Sequence, residues 1–266
     1  MKIVKKLFVL FILTIGIWAC ATVPVTNRSQ LALVSNAEII PLSFENYKKV
    51  LEEGAISKDA QKTAMVRRVG ARIQKAVEDY MAQNNMSNQL DGFEWEFNLL
   101  EEETVNAWCM PGGKVAFYTG ILPICKDETG IAVVMGHEVA HAIANHGRER
   151  MSQQMALNGI LSIGAATTSG TENRVDDILL QAVGAASPLG MLKFSRDQES
   201  EADHIGLIFM AMAGYDPGKA PAFWERMSSM GGGQEPPEFL STHPSHETRI
   251  SDLKNWLPEA EKYYKK

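Results

Sequence analysis

The sequence predicts a single mainly helical α+β domain with a small antiparallel sheet, and three observations predict it. Apolar residues recur at three- and four-residue intervals in stretches that open with capping residues, one stretch alternates apolar with polar side chains, and a Pro-Gly-Gly turn separates two further strand-like runs. Composition agrees: of 266 residues, 45% are hydrophobic, 22% charged and 8% aromatic, the balance of an ordinary packed domain. Three cysteines are too few for a disulfide scaffold. No second run approaches the roughly 20 apolar residues of a spanning helix, which excludes a polytopic membrane protein. The formal charge is −6, and once Lys2, Lys5 and Lys6 of the N-terminal segment are set aside, 23 basic side chains face 32 acidic ones. That is the wrong sign for a phosphate-binding surface, so no nucleic-acid partner is expected.

The elements follow in order. Three lysines, the 12-residue apolar run Leu7 to Trp18 and then Ala19-Cys20 have the layout of a secretory signal peptide over residues 1–19. Ile17-Trp18-Ala19-Cys20 resembles the bacterial lipobox, which marks Cys20 for lipidation and attaches the chain to a membrane through that lipid; an uncleaved anchor is the alternative. Ala21, which is not acidic, resembles the sorting signal for the outer membrane facing the periplasm. Residues 21–34 read as a polar spacer. Ser35 and Glu38 form a capping-box pattern opening a helix toward Glu53. From Ser57, the positions Val66, Val69, Ile73, Val77 and Tyr80 mark a helix with one buried face. Phe93, Trp95, Phe97 and Leu99 alternate with polar residues as a strand with one wet face.

Thr104 to Met110 and Lys114 to Thr119 flank Pro111-Gly112-Gly113, a hairpin whose glycines permit positive φ. An apolar helix runs from Asp127 and can extend past Arg150. Residues 158–194, rich in Gly, Ala, Ser and Thr, read as a lid. Ser195 and Gln198 form a second capping box, opening a helix that closes at Gly214. Asp216-Pro217 caps the next helix, Gly231 to Gly233 end it, and a last helix starts near Ser245. In an oxidising compartment Cys109 and Cys125 either pair or remain two buried thiols, and their spacing leaves both open.

The chemistry lies in His137-Glu138-Val139-Ala140-His141. At about 100° per residue, side chains four apart differ by about 40°, so both imidazoles leave one helix face and can reach a single Zn²⁺. Glu138 beside them can take a proton from water that the metal has acidified. His146, five residues on and about 140° around the helix, cannot join the pair and reads as a polar helix-end residue. A third ligand must come from elsewhere. In Glu199-Ser200-Glu201-Ala202-Asp203, Glu199 and Asp203 share a face, whereas Glu201 lies about 200° from Glu199. Glu199 can then bind the metal while Asp203 accepts a hydrogen bond from a ligand histidine's far nitrogen.

These motifs, with Asn106-Ala107-Trp108 before the Pro-Gly-Gly turn and Thr242-His243-Pro244 with Arg249, resemble the HtpX and CAAX prenyl protease type of gluzincin metallopeptidase across roughly residues 60 to 255, and stand nearest to its stand-alone bacterial lipoprotein members. The resemblance implies a zincin-like fold with an edge strand beside the active-site helix and one zinc per chain. It implies His137, His141 and Glu199 as ligands, Glu138 as general base and Asp203 as the carboxylate behind a ligand. Asn106 and Ala107 match the strand that holds an extended substrate. His243 and Arg249 match a pair that steadies the oxyanion, although in some relatives the matching histidine caps the resting zinc. Three units result: the lipoprotein signal peptide at 1–19, a lipidated N-terminal tether and first helix at 20–56, and the zinc metallopeptidase domain at 57–266. The implied function is a zinc endopeptidase of the bacterial cell envelope that removes misfolded or unassembled envelope proteins. A holdase-like module that grips strands without cutting has no need of Glu138, which favours hydrolysis.

Overall fold

The computed structural model describes residues 20–164, 194–230, 238–243 and 248–265. The expected signal peptide, the lid from 165 to 193, Gly231 to Gly233 and the predicted helix start at Ser245 lie outside the described residues.

The expected spacer after Cys20 is folded. Strands β1 (Cys20–Thr22) and β2 (Ser29–Leu31) pair in antiparallel fashion, and Val23 between them has no exposed surface because it inserts into the main core. Helix α1 (Asn36–Glu53) opens at the Ser35–Glu38 capping box, as its sequence requires. Helix α2 (Ala60–Gln83) is capped by Asp59, and its buried face carries Val66, Val69, Ile73, Val77 and Tyr80.

The sheet contains β3 (Glu96–Leu100), β4 (Ala107–Met110) and β5 (Lys114–Tyr118) in the order β3-β5-β4. The hairpin β4–β5 is antiparallel, with Gly112 and Gly113 both at φ 84. Because β5 returns between the other two strands, it runs parallel to β3 and antiparallel to β4. β3 has no wet face. Helix α1 covers that side through a cluster of Tyr47, Val50, Leu100, Trp108, Met110 and Ala116, and Asn98 is buried there. Its Nδ2 donates to Tyr47 Oη at 3.1 Å and to Glu96 Oε1 at 2.8 Å, which satisfies the amide away from water. The opposite face packs against α2 and the central helices in the largest core cluster.

After the short helix α3 (Leu122–Cys125), helix α4 (Glu128–Ile143) is capped by Asp127 and buried along nearly all its length. It stops well before Arg150. Asn145 takes a left-handed φ of 55, and a separate helix, α5 (His146–Gly164), begins at the next residue. Helix α6 (Arg196–Met212) opens at the Ser195–Gln198 box and ends before Gly214, at φ 78. Helix α7 (Ala220–Met230) follows the turn capped by Asp216, and α8 (Glu238–Thr242) and α9 (Arg249–Ala260) complete the described elements. Cys109 and Cys125 are free thiols, so the disulfide alternative does not stand. Cys20 is exposed at the start of β1. Among the described residues, no helix is long and apolar enough to cross a membrane.

Candidate active site

Helix α4 presents His137 and His141 on one face, and α6 lies against it with Glu199 directed at both. Their Nε2 atoms stand 3.1 Å apart, and the Glu199 carboxylate oxygens lie 3.3 Å from His141 Nε2 and 3.5 Å from His137 Nε2. His243 joins them from the residue after α8: its Nδ1 is 3.2 Å from His137 Nε2 and 3.0 Å from Glu199 Oε1. One donor atom from each of these four buried residues lies within 4.8 Å of the others. Tetrahedral ligands held about 2.0–2.1 Å from a zinc ion stand about 3.3–3.4 Å from one another, so the donor set has the size and chemistry of a four-coordinate zinc site.

The side chains of the cluster also act on one another's charge. Burial works against the Glu199 carboxylate, yet the facing imidazoles of His243, His137 and His141 hold it well below the usual carboxylate range. Burial also works against a charge on His137, but Asp203 and Glu199 raise it above the ordinary histidine value. His141, by contrast, is held well below its ordinary value by burial, which keeps an imidazole lone pair available.

Glu138 is buried and pushed up to about 7, chiefly by burial, with His243 opposing and Glu199 reinforcing the rise. Its Oε1 has no hydrogen-bond partner and lies 3.6 Å from His243 Nε2. A buried carboxylate oxygen left unpartnered beside a cluster of metal donors is where a water molecule would be held and deprotonated.

Asp203 sits behind His137, with Oδ1 2.9 Å from His137 Nδ1. Arg249 is fully buried over the Trp224 ring and donates from Nη2 to the same Asp203 oxygen at 2.7 Å and from Nη1 to Glu199 Oε2 at 3.4 Å. It therefore braces the acidic side chains from α6, meeting the Glu199 oxygen that His243 Nδ1 does not. Aromatic rings fix the imidazoles: Phe194 stacks on His141 at 3.9 Å between centroids, and Phe239 on His243 at 4.6 Å.

Asn106 is buried at the start of β4, and its Oδ1 accepts from the Ala107 N–H at 2.9 Å. The Asn106 carbonyl accepts from Tyr118 N–H, and Trp108 is registered opposite Ala116, so the backbone groups of Ala107 and Cys109 face away from β5. That side of β4 has no strand partner among the described residues.

The sequence reading missed His146 and Glu201. His146 is fully buried, with its Nδ1 2.8 Å from His141 Nδ1 and its Nε2 2.9 Å from Glu201 Oε2. The angular argument carried α4 past its end; Asn145 turns the chain, and His146 comes to lie behind His141 instead of around the helix. Glu201 does point away from the donors, as expected, but into a packed interface. The signal available in the sequence was a histidine following a helix-terminating Asn.

A family model described as Peptidase family M48 matches residues 68–257. The chain is 36% identical over 244 residues to the mitochondrial metalloendopeptidase OMA1 of Schizosaccharomyces pombe, covering 90% of this chain and 67% of that protein. It is 29% identical over 244 residues to the mitochondrial metalloendopeptidase OMA1 of Homo sapiens, covering 89% of this chain and 46% of that one. Over 165 residues it is 28% identical to the beta-barrel assembly-enhancing protease of Escherichia coli, covering 60% of this chain and 34% of the relative. These findings overturn one expectation. The two relatives matched over about nine tenths of the chain are mitochondrial, so the bacterial outer-membrane location read from the first 21 residues does not stand.

Proposed function

The chain belongs to peptidase family M48 and is a zinc metalloendopeptidase, and from that premise we propose that it cleaves extended segments of unfolded or unassembled proteins with His137, His141 and Glu199 as zinc ligands and Glu138 as general base. The observation that carries this reading is the convergence of four buried donors beside the unpartnered oxygen of Glu138.

Zinc, when bound, supplies a Lewis acid that polarises a carbonyl and lowers the pKa of water. The remaining work belongs to the protein. An extended substrate segment pairs with the outward Ala107 carbonyl and with the backbone groups of Cys109, exchanging main-chain hydrogen bonds that carry no side-chain specificity, while the Ala107 N–H stays with Asn106 Oδ1. Such an edge selects for unfolded backbone, because a folded protein has no free strand to offer. Glu138 Oε1 takes a proton from the attacking water and passes it to the leaving amine. His243, whose Nε2 faces Glu138, is placed to meet the developing oxyanion once it leaves the donor cluster. Asp203 and Arg249 hold His137 and Glu199 in orientation.

Glu138→Gln tests the reading. Zinc content should stay at the native level while cleavage of casein or another unfolded protein falls by several orders of magnitude, because the proton acceptor is lost and ligation is not. Undiminished cleavage would refute the assignment.

A further inference from the structure

The two helix-borne histidines are supported differently. His137 Nδ1 meets a carboxylate directly, Asp203, which is held by Arg249. His141 Nδ1 meets another imidazole, and the chain of contacts continues outward through His146 to Glu201. We propose that Arg28, acting through Glu201 and His146, positions His141 at the metal, which makes the N-terminal β1–β2 hairpin part of the centre's support. The inference rests on His141 being a zinc ligand.

The hydrogen bonds have one consistent direction. If His141 presents its Nε2 lone pair to the donor cluster, its proton is on Nδ1, which must donate to His146 Nδ1. A neutral His146 that accepts at Nδ1 carries its proton on Nε2, and that proton goes to Glu201 Oε2 at 2.9 Å. Glu201 is thus the acceptor at which the relay ends. Three donors, from His146, Thr26 and Arg28, converge on its two oxygens, which is the setting of an acceptor carboxylate.

What fixes Glu201 is the hairpin. Arg28 Nε donates to its Oε2 at 2.8 Å, and Thr26 Oγ1 donates to its Oε1. The same guanidinium donates from Nη1 and Nη2 to the two oxygens of Glu149 on α5, each at 2.8 Å, and Glu149 also accepts from Gln198 Nε2 of the α6 cap at 2.9 Å. A planar fork therefore ties β1–β2, α5 and α6 together at the back of His141, a task that lysine's single ammonium cannot perform. The turn bearing these groups is held in an unusual shape. Val25 has φ 74 and Asn27 φ 57, and a β-branched residue reaches the left-handed region only where its surroundings impose it. The buried Val23 side chain and the Val23 N–H to Arg28 carbonyl bond at 2.8 Å supply that constraint. The Arg28–Glu201–His146 chain of contacts ends on His141, the helix-borne histidine whose Nδ1 meets no carboxylate of its own.

The test uses the full chain, with zinc affinity measured by competition against a chromophoric chelator and the site geometry followed by the visible spectrum of the cobalt(II)-substituted protein. His146→Phe keeps the ring's shape and removes the acceptor; it should lower zinc affinity about 10- to 100-fold and alter the cobalt bands. His146→Asn, whose side-chain oxygen can take the place of Nδ1, should recover most of that loss. Arg28→Met should act in the same direction, Arg28→Lys should fall between it and the native protein, and Arg28→Met combined with His146→Phe should be no worse than His146→Phe alone. If the losses in the double variant multiply, or if both Arg28 variants leave affinity and spectrum unchanged while His141→Ala loses zinc, the positioning role is wrong. Native zinc affinity in His141→Ala would instead overturn the ligand assignment and this inference with it.

Discussion

Gly136 of α4 and Gly206 of α6 meet backbone to backbone. A Cβ added at Gly136 would stand 2.8 Å from the Gly206 carbonyl oxygen, and one added at Gly206 would stand 2.9 Å from the Gly136 carbonyl carbon and from His137 N. This contact lies one residue from His137 and three from Asp203, so it sets how far Glu199 and Asp203 can reach. Gly206→Ala should push the helices apart, costing about 1–3 kcal/mol of stability, as overpacking of a close crossing does. Zinc content should fall with it. Thermal unfolding and metal analysis of the purified variant check both, and a variant with native zinc content would show that the close approach is not what assembles the site.

His243 contributes the fourth donor, and four protein ligands close a site that hydrolysis needs open. Basal activity should therefore be low. X-ray absorption on the resting zinc protein should count three imidazoles, and His243→Ala should show two with an added oxygen. Turnover in that variant should still drop about 100- to 1,000-fold, the usual loss for one oxyanion donor. Two imidazoles in the native resting protein would leave His243 as an oxyanion donor alone.

Arg249 donates to both acidic side chains of α6, Asp203 and Glu199. Arg249→Met should leave two buried carboxylates without their cation and cost about 3–5 kcal/mol in chemical denaturation. A residue acting only on the oxyanion would give native stability with reduced kcat, and that result would support the paired role with His243.

Removal of zinc by a chelator should abolish cleavage and lower the melting temperature, and restored zinc should recover both. The gain should follow the free metal concentration, reaching about 2.7 kcal/mol at one hundred times Kd. A melting temperature indifferent to zinc would mean that the metal is not held by the folded donor set.

His137 and His141 on one face, Glu199 with Asp203 on another, the two capping boxes and the Pro-Gly-Gly hairpin were all legible, because each depends on helix or turn geometry within a few residues. Asn98 was misread as solvent-facing for want of a local sign that α1 would cover it, and His146 because Asn145 ends the helix on which its angle was reckoned.

By itself, then, the sequence determined which side chains share a helix face and which pattern of donors and base the chain offers, since covalent geometry fixes the angle between residues four apart. It also determined the mainly helical domain, through the period of its apolar residues. Only the tertiary structure decided what stands behind those faces. Arg28 and Glu201 are 173 positions apart, and their contact follows from how a hairpin lodges between two helices. His243 reaches the donor cluster, and Arg249 the acidic side chains of α6, for the same reason: long-range packing, not local periodicity, chooses the partners of a buried charge.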